Sequence, residues 1–167
     1  MRILVTFGSK RGGTEGLARM VADGLREEGF DADVIPAAEV VRLDGYDGVI
    51  VGGALYAMRW HKASRRFVRS HAAELRLRPT YFFSSGPLDD SATRSDIAPV
   101  RGVNALMGRV GARGHITFGG RLAADAKGFP ASAMAKKQAG DWRDPAQVRQ
   151  WTQMLALQLR GQILQGA

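Results

Sequence analysis

The sequence predicts a doubly wound α/β sandwich: a five-stranded parallel sheet in the order 2-1-3-4-5 with helices on both faces. Three observations predict it. Short apolar runs alternate with helix-period segments along the whole chain, as in a sheet whose strands are joined by crossover helices. Ile3–Phe7 and Val49–Gly52 are continuously apolar, which marks strands buried on both faces. The length of 167 residues is that of one ordinary domain, so residues 1–167 are read as a single unit.

The elements follow in order. Ile3–Phe7 is the first strand, and a helix from Thr14 to Glu28 puts Leu17, Val21 and Leu25 on one face before Gly29 stops it. Asp31–Pro36 alternates as the second strand. Val49–Gly52, after the turn Asp44-Gly45-Tyr46-Asp47-Gly48, is the third. Lys62 to Leu77 reads as a helix with Phe67, Val68, His71 and Leu75 inward, and Thr80–Ser84 as the fourth strand. A helix over Pro99–Gly111 carries Val100, Val103, Met107 and Val110. His115–Phe118 is the fifth strand, and Gln147–Gln162 closes the chain with Val148, Trp151, Leu155 and Leu159 inward. Between them, 119–140 reads as a long irregular insertion, either functional or a surface excursion.

Composition narrows the chemistry. Hydrophobic residues are 45% and charged residues 24%, ordinary for a globular chain, and no apolar run approaches the roughly 20 residues needed to span a bilayer. A cytoplasmic location is expected, with no signal peptide. There is no cysteine, which excludes disulfides and thiolate metal sites, and His61, His71 and His115 show no metal-ligand spacing. Twenty-four Lys and Arg against 16 Asp and Glu give a net charge of +8, with a pI near 10.6. Such a surface favours anionic partners.

Three loops leave the carboxyl ends of the first, third and fourth strands, where a sheet of this order binds its ligand. Ser9-Lys10-Arg11-Gly12-Gly13-Thr14 joins a strand to a helix start, a geometry that aims backbone N–H groups and the helix dipole at one anion. It matches neither the dinucleotide fingerprint nor the Walker loop, so a mononucleotide-type phosphate fits it best. The second loop starts small at Gly52-Gly53-Ala54-Leu55 and offers Tyr56 and Trp60 as aromatic faces for a planar ring. Trp60 is equally readable as a helix-entry residue packed on the core, and His61 as a helix-start residue. In the third loop, Ser84, Ser85 and Gly86 offer hydroxyls and backbone groups to the polar edge of a flat heterocycle.

Phosphate loop, aromatic loop and polar loop, in this order, resemble the flavodoxin family, whose fold is a three-layer sandwich. Its phosphate motif appears here as Ser9-Lys10-Arg11-Gly12-Gly13-Thr14, with Arg11 where a hydroxyl residue is usual. The resemblance implies FMN, phosphate on the first loop and ring between the second and third. Gly52-Gly53-Ala54-Leu55 through Arg59-Trp60-His61-Lys62, Phe67-Val68-Arg69, His71-Ala72, Arg78-Pro79, Phe118-Gly119-Gly120-Arg121-Leu122 and Asp141-Trp142-Arg143-Asp144 are further similar to the flavodoxin-type, menaquinone-dependent protoporphyrinogen oxidases. That resemblance implies an oxidoreductase of heme biosynthesis in which the flavin takes hydrogens from a porphyrinogen and passes electrons to a quinone, with no side chain as nucleophile. Arg59, Lys62 and Arg121 are the candidates to pair with substrate propionates.

Two other readings stand beside it. A flavodoxin electron carrier would share the cofactor, but carriers of that kind are typically acidic. A non-enzymatic basic binding module would not share it, and the chain lacks nucleic-acid-binding signatures. The basic stripe Lys62, Arg65, Arg66, Arg69 and Arg76, with Lys136 and Lys137 near Met134 and Phe129, is either a solvated surface or a peripheral contact with the inner face of a membrane.

Overall fold

The apolar strands pair as their pattern requires. In the computed structural model, which describes residues 1–10, 12–128 and 131–165, β1 (Arg2–Gly8), β2 (Asp31–Pro36), β3 (Gly48–Tyr56), β5 (Thr80–Ser85) and β6 (His115–Phe118) form a parallel sheet. Its order is β2-β1-β3-β5-β6, the flavodoxin-like arrangement expected from the sequence. One extra strand, β4 (Arg59–Trp60), folds back antiparallel on β3. Third and fourth strands thus run further than the apolar runs alone suggested, because ladder hydrogen bonds continue through residues of any polarity.

Alternate side chains feed two cores. Ile3, Val5, Ile50 and Phe83 point to the layer of α1 (Gly13–Glu27) and α7 (Pro145–Gln165), meeting Leu17, Val21, Leu25, Trp151 and Leu155. Leu4, Val49, Val51 and Phe82 point to α2 (Lys62–Ser70), α3 (Ala72–Arg76) and α5 (Arg101–Val110), meeting Phe67, Val68, Leu75, Val103 and Val110. Helix α7 starts two residues before the apolar pattern does. Asp144 accepts the Ala146 N–H at 2.9 Å and Pro145 takes the first helical position, where a missing N–H costs nothing.

Two expectations are corrected. The helix read across Lys62–Leu77 is broken at His71, whose backbone leaves helical geometry while its ring stacks on Phe67 and its Nδ1 meets Glu74 at 3.0 Å. The His71 side chain is nonetheless largely buried against Phe67, as the inward reading expected. The insertion is not irregular. It opens with β7 (Arg121–Leu122) and ends with β8 (Gly140–Asp141), paired antiparallel, and carries α6 (Ala131–Gln138) between them. A small core of Leu122, Ala131 and Ala135 closes it, with Leu88 packed alongside. Phe129 lies outside the described residues. A short helix, α4 (Ser91–Arg94), precedes α5.

The β3–β4 hairpin turns through Ala57 and Met58, both at positive φ (47° and 62°). Two left-handed residues match the twist of a tight hairpin, and without glycine they store on the order of 1 kcal/mol each. No helix among the described residues is long and apolar enough to cross a membrane.

Candidate functional site

The site lies where the strand order reverses, at the carboxyl ends of β1 and β3. The chain leaves β1 at Gly8 and enters α1 through Gly12, whose φ of 76° suits glycine and turns the first-turn N–H groups toward the strand ends. Glu15 is the acidic residue of that turn. The Lys10 N–H donates to the Tyr56 hydroxyl at 3.2 Å, so the end of β3 lies across the turn.

Thr14 is 1% exposed and its Oγ1 has no hydrogen-bond partner. A buried hydroxyl left in that condition costs about 1–3 kcal/mol. Thr14 lines a cavity of about 130 Å3 together with Ser9 and Gly13 from the turn. Ala54, Leu55 and Tyr56 at the end of β3 and Ser85 and Gly86 at the end of β5 form its floor and far wall. The remaining wall comes from the insertion, through Gly120, Arg121, Leu122, Ala131 and Met134, with Leu88 beside them. No carboxylate or imidazole lines it among the described residues.

The insertion is strapped to the turn at its base. A Cβ placed on Gly13 would touch the Cβ of Arg121 at 3.4 Å. Arg143 pairs with both carboxylate oxygens of Asp141 at 2.6 and 2.8 Å, and its Nη1 reaches the Gly13 carbonyl at 3.4 Å. The hydrogen bonds from Arg143 hold the Asp141 carboxyl below its ordinary pKa.

Of the residues the sequence singled out, Ser9, Gly13, Thr14, Ala54, Leu55, Tyr56, Ser85, Gly86 and Arg121 come together on this wall. Gly12 shapes the turn from outside, Lys10 lies in a neighbouring groove with Arg121, and Arg11 is outside the described residues. Trp60 and Ser84 are placed elsewhere. Trp60 is 2% exposed, packs on Phe82 with ring centres 4.9 Å apart, and donates its indole N–H to Ser84 Oγ at 2.8 Å. It fills the space that Gly53 leaves, since a Cβ there would meet the indole at 2.7 Å. Ser84 in turn meets His115 Nε2 at 2.9 Å. Burial pushes the His115 pKa down to about 4, and the neutral ring can accept a hydrogen bond from the Ser84 hydroxyl.

Arg59 and Lys62 do not reach the cavity; they flank separate grooves along α2. His61 serves the start of α2, where its Nδ1 accepts the Ala63 N–H at 3.2 Å. Desolvation, then the charges of Lys10, Lys62 and Arg65, lower its pKa. Of the other wall residues, Met134 was read only beside the basic surface of the insertion, and Leu88 and Ala131 were given no role in the sequence. Gly120 and Leu122 stood in the sequence only within the segment Phe118-Gly119-Gly120-Arg121-Leu122 of the family resemblance.

Comparison with known proteins gives the family. A family model described as "Flavodoxin domain" matches residues 4–137 of the 167. The chain belongs to that family, and with it to the FMN-binding proteins. Protoporphyrinogen IX dehydrogenase [quinone] of Escherichia coli (strain K12) is 33% identical over 86 residues, and the match spans 50% of this chain and 48% of that protein. Among solved structures, a flavodoxin from the domain Archaea superposes with a TM-score of 0.65 at 16% identity, covering 96% of this chain and 99% of that one. The flavodoxin of Streptococcus pneumoniae TIGR4 gives a TM-score of 0.62 at 19% identity over 95% of this chain and 99% of that one. Rubredoxin oxygen:oxidoreductase of Desulfovibrio gigas gives 0.64 at 15% identity, over 97% of this chain and 37% of that one.

Proposed function

We propose that this chain is an FMN-dependent oxidoreductase acting on an anionic, porphyrinogen-like substrate with a quinone as electron acceptor. The observation that carries the reading is the buried Thr14 hydroxyl, unpartnered and lining a cavity at the β1/β3 switch point. The half-matched dehydrogenase relative supports the reaction class. When bound, the flavin supplies a redox centre that takes hydrogens from a substrate and yields electrons to an acceptor.

The protein's part is holding and shielding. Ser9, Thr14 and the first-turn N–H groups of α1 bond the phosphate, and Gly13 lets it approach the backbone. Leu55, Tyr56, Leu122 and Met134 keep water from the ring, and Ser85 and Gly86 bond its polar edge. Arg121 is the cation that the cavity presents to a substrate carboxylate. Arg59 and Lys62, being outside the cavity, drop out of that role.

At about 130 Å3 the cavity is smaller than the roughly 300 Å3 at the low end of small-molecule sites. Leu122 of β7 and Met134 of α6 form the insertion's side of it.

Anaerobic mixing of FMN-loaded protein with protoporphyrinogen and a menaquinone analogue tests the proposal. Loss of the oxidised flavin band on adding porphyrinogen, its return on adding quinone, and multiple turnovers are expected. An intact flavin spectrum with no turnover refutes the substrate assignment and leaves an electron carrier. Absence of flavin uptake refutes the whole reading.

A further inference from the structure

Six cations that the cavity does not use lie along β4, α2 and the start of α5. Arg59, Arg65, Arg69 and Arg101 line a groove between α2 and α5, and Lys62 and Arg66 line its continuation on the other flank of α2. No aspartate or glutamate lines either groove among the described residues. None of the six forms an ion pair with a described residue, whereas eight arginine–carboxylate pairs form elsewhere on the described surface. Only Arg65 has a structural use, donating from Nε to the Trp60 carbonyl at 3.0 Å. Like charges held together without counterions destabilise a fold by self-repulsion, so an arrangement of this kind is matched to an anionic partner.

The face is also next to the flavin site. Met58, 73% exposed, stands at the strained tip of the β3–β4 hairpin and lines the arginine groove. The stem of that hairpin, Leu55 and Tyr56, lines the cofactor cavity on its other side. An apolar knob ringed by cations has the pattern of a protein interface, with a dry centre and a polar rim. A bilayer fits less well. The groove is concave, and Met58 is the one large exposed apolar side chain among the residues lining it, too little apolar area for interfacial binding.

We infer that the groove between α2 and α5, with Met58 at its edge, docks an acidic electron-carrier protein beside the flavin. The inference rests on the FMN reading for what the docked partner exchanges: one electron per encounter, passed from the partner's reduced centre, which is oxidised, to the flavin, which is reduced, with no bond made or broken.

Docking itself is measured without that assumption. Whole FMN-treated protein is titrated with a strongly acidic plant-type [2Fe–2S] ferredoxin, with a basic c-type cytochrome as the charge control. The ferredoxin binds at about 25 mM salt and weakens at least about tenfold at about 0.3 M, where the Debye length falls well below 10 Å. The double variant Arg69→Glu/Arg101→Glu weakens it at least about tenfold. Arg113→Glu/Arg149→Glu, with the same change of net charge on other faces, stays within about twofold. Met58→Gly, which suits the positive φ, weakens binding several-fold without unfolding the hairpin. The flavin spectrum of each variant is recorded separately, so a colourless protein counts against the cofactor and not against the docking face. Equal effects of the two charge-reversed variants, equal binding of the basic cytochrome, or binding of phosphatidylglycerol vesicles or a DNA duplex in place of the ferredoxin would overturn the inference.

Discussion

Replacing Thr14 by Val should move stability and cofactor affinity in opposite directions. Valine keeps the shape of the side chain and removes only the hydroxyl, which is 1% exposed and unpartnered when no ligand is present. Without cofactor the variant gains the desolvation cost of an orphaned hydroxyl, about 1–3 kcal/mol. For a chain of this size that is a rise of about 2–4 °C in Tm per kcal/mol. With cofactor, the variant loses a hydrogen bond to a charged phosphate, about 1.5–3 kcal/mol, or roughly 10- to 150-fold in Kd. Urea denaturation of the ligand-free protein reads the first effect, and flavin fluorescence quenching on titration with FMN reads the second. A variant that is less stable without ligand, yet binds FMN as the parent does, would show that the hydroxyl serves the fold and not the phosphate.

Three further outcomes follow from the geometry. Because His115 is held neutral with a pKa of about 4 against 6.5 in the unfolded chain, the unfolded state takes up the proton first as pH falls. The stability this group contributes is complete above about pH 6.5 and lost toward pH 4, with about 1–2 kcal/mol gone by pH 5 after allowing for partial exposure. Denaturation midpoints at pH 7 and 5 should therefore differ less in His115→Leu than in the parent, and equal differences would count against it. Gly53→Ala sets a Cβ 2.7 Å from the Trp60 indole and should cost about 1–3 kcal/mol, with a changed tryptophan emission as the indole leaves Ser84. Arg143→Ala frees the base of the insertion from Gly13, and hydrogen exchange should rise across 121–141 more than in the sheet, for a global loss of about 1 kcal/mol.

How much of this was legible in the sequence depends on the scale at which each feature is determined. The five parallel strands were readable because burial writes short apolar or alternating runs, as in Val49–Gly52 and Asp31–Pro36, and their order because strand–helix alternation fits a doubly wound sheet. The phosphate turn was readable because glycines and hydroxyls between a strand and a helix have few other uses. The two-residue strands β4, β7 and β8 were not, since so short a segment carries no period. Helix α6 hides for a related reason: its buried residues are alanines, and alanine at helical spacing is a weak mark of a buried face. Trp60 shows a different limit. An aromatic in a loop beside a ligand site reads as a ring platform or as core, and the choice is made by the gap above Gly53, which only the folded sheet reveals. Arg59 and Lys62 were grouped with Arg121 because all three follow strand ends, yet a tight hairpin and a helix start send the first two away from the cavity.

The central claim is that the Ser9–Thr14 turn holds a phosphate, and comparing FMN with riboflavin tests it most directly, since the two differ by that group alone. Titrated into ligand-free protein and followed by flavin fluorescence, FMN should bind one to one and at least about 100-fold more tightly than riboflavin, as expected for losing two or more charge-assisted hydrogen bonds. Equal affinities for the two flavins, or no uptake of either, would contradict the account.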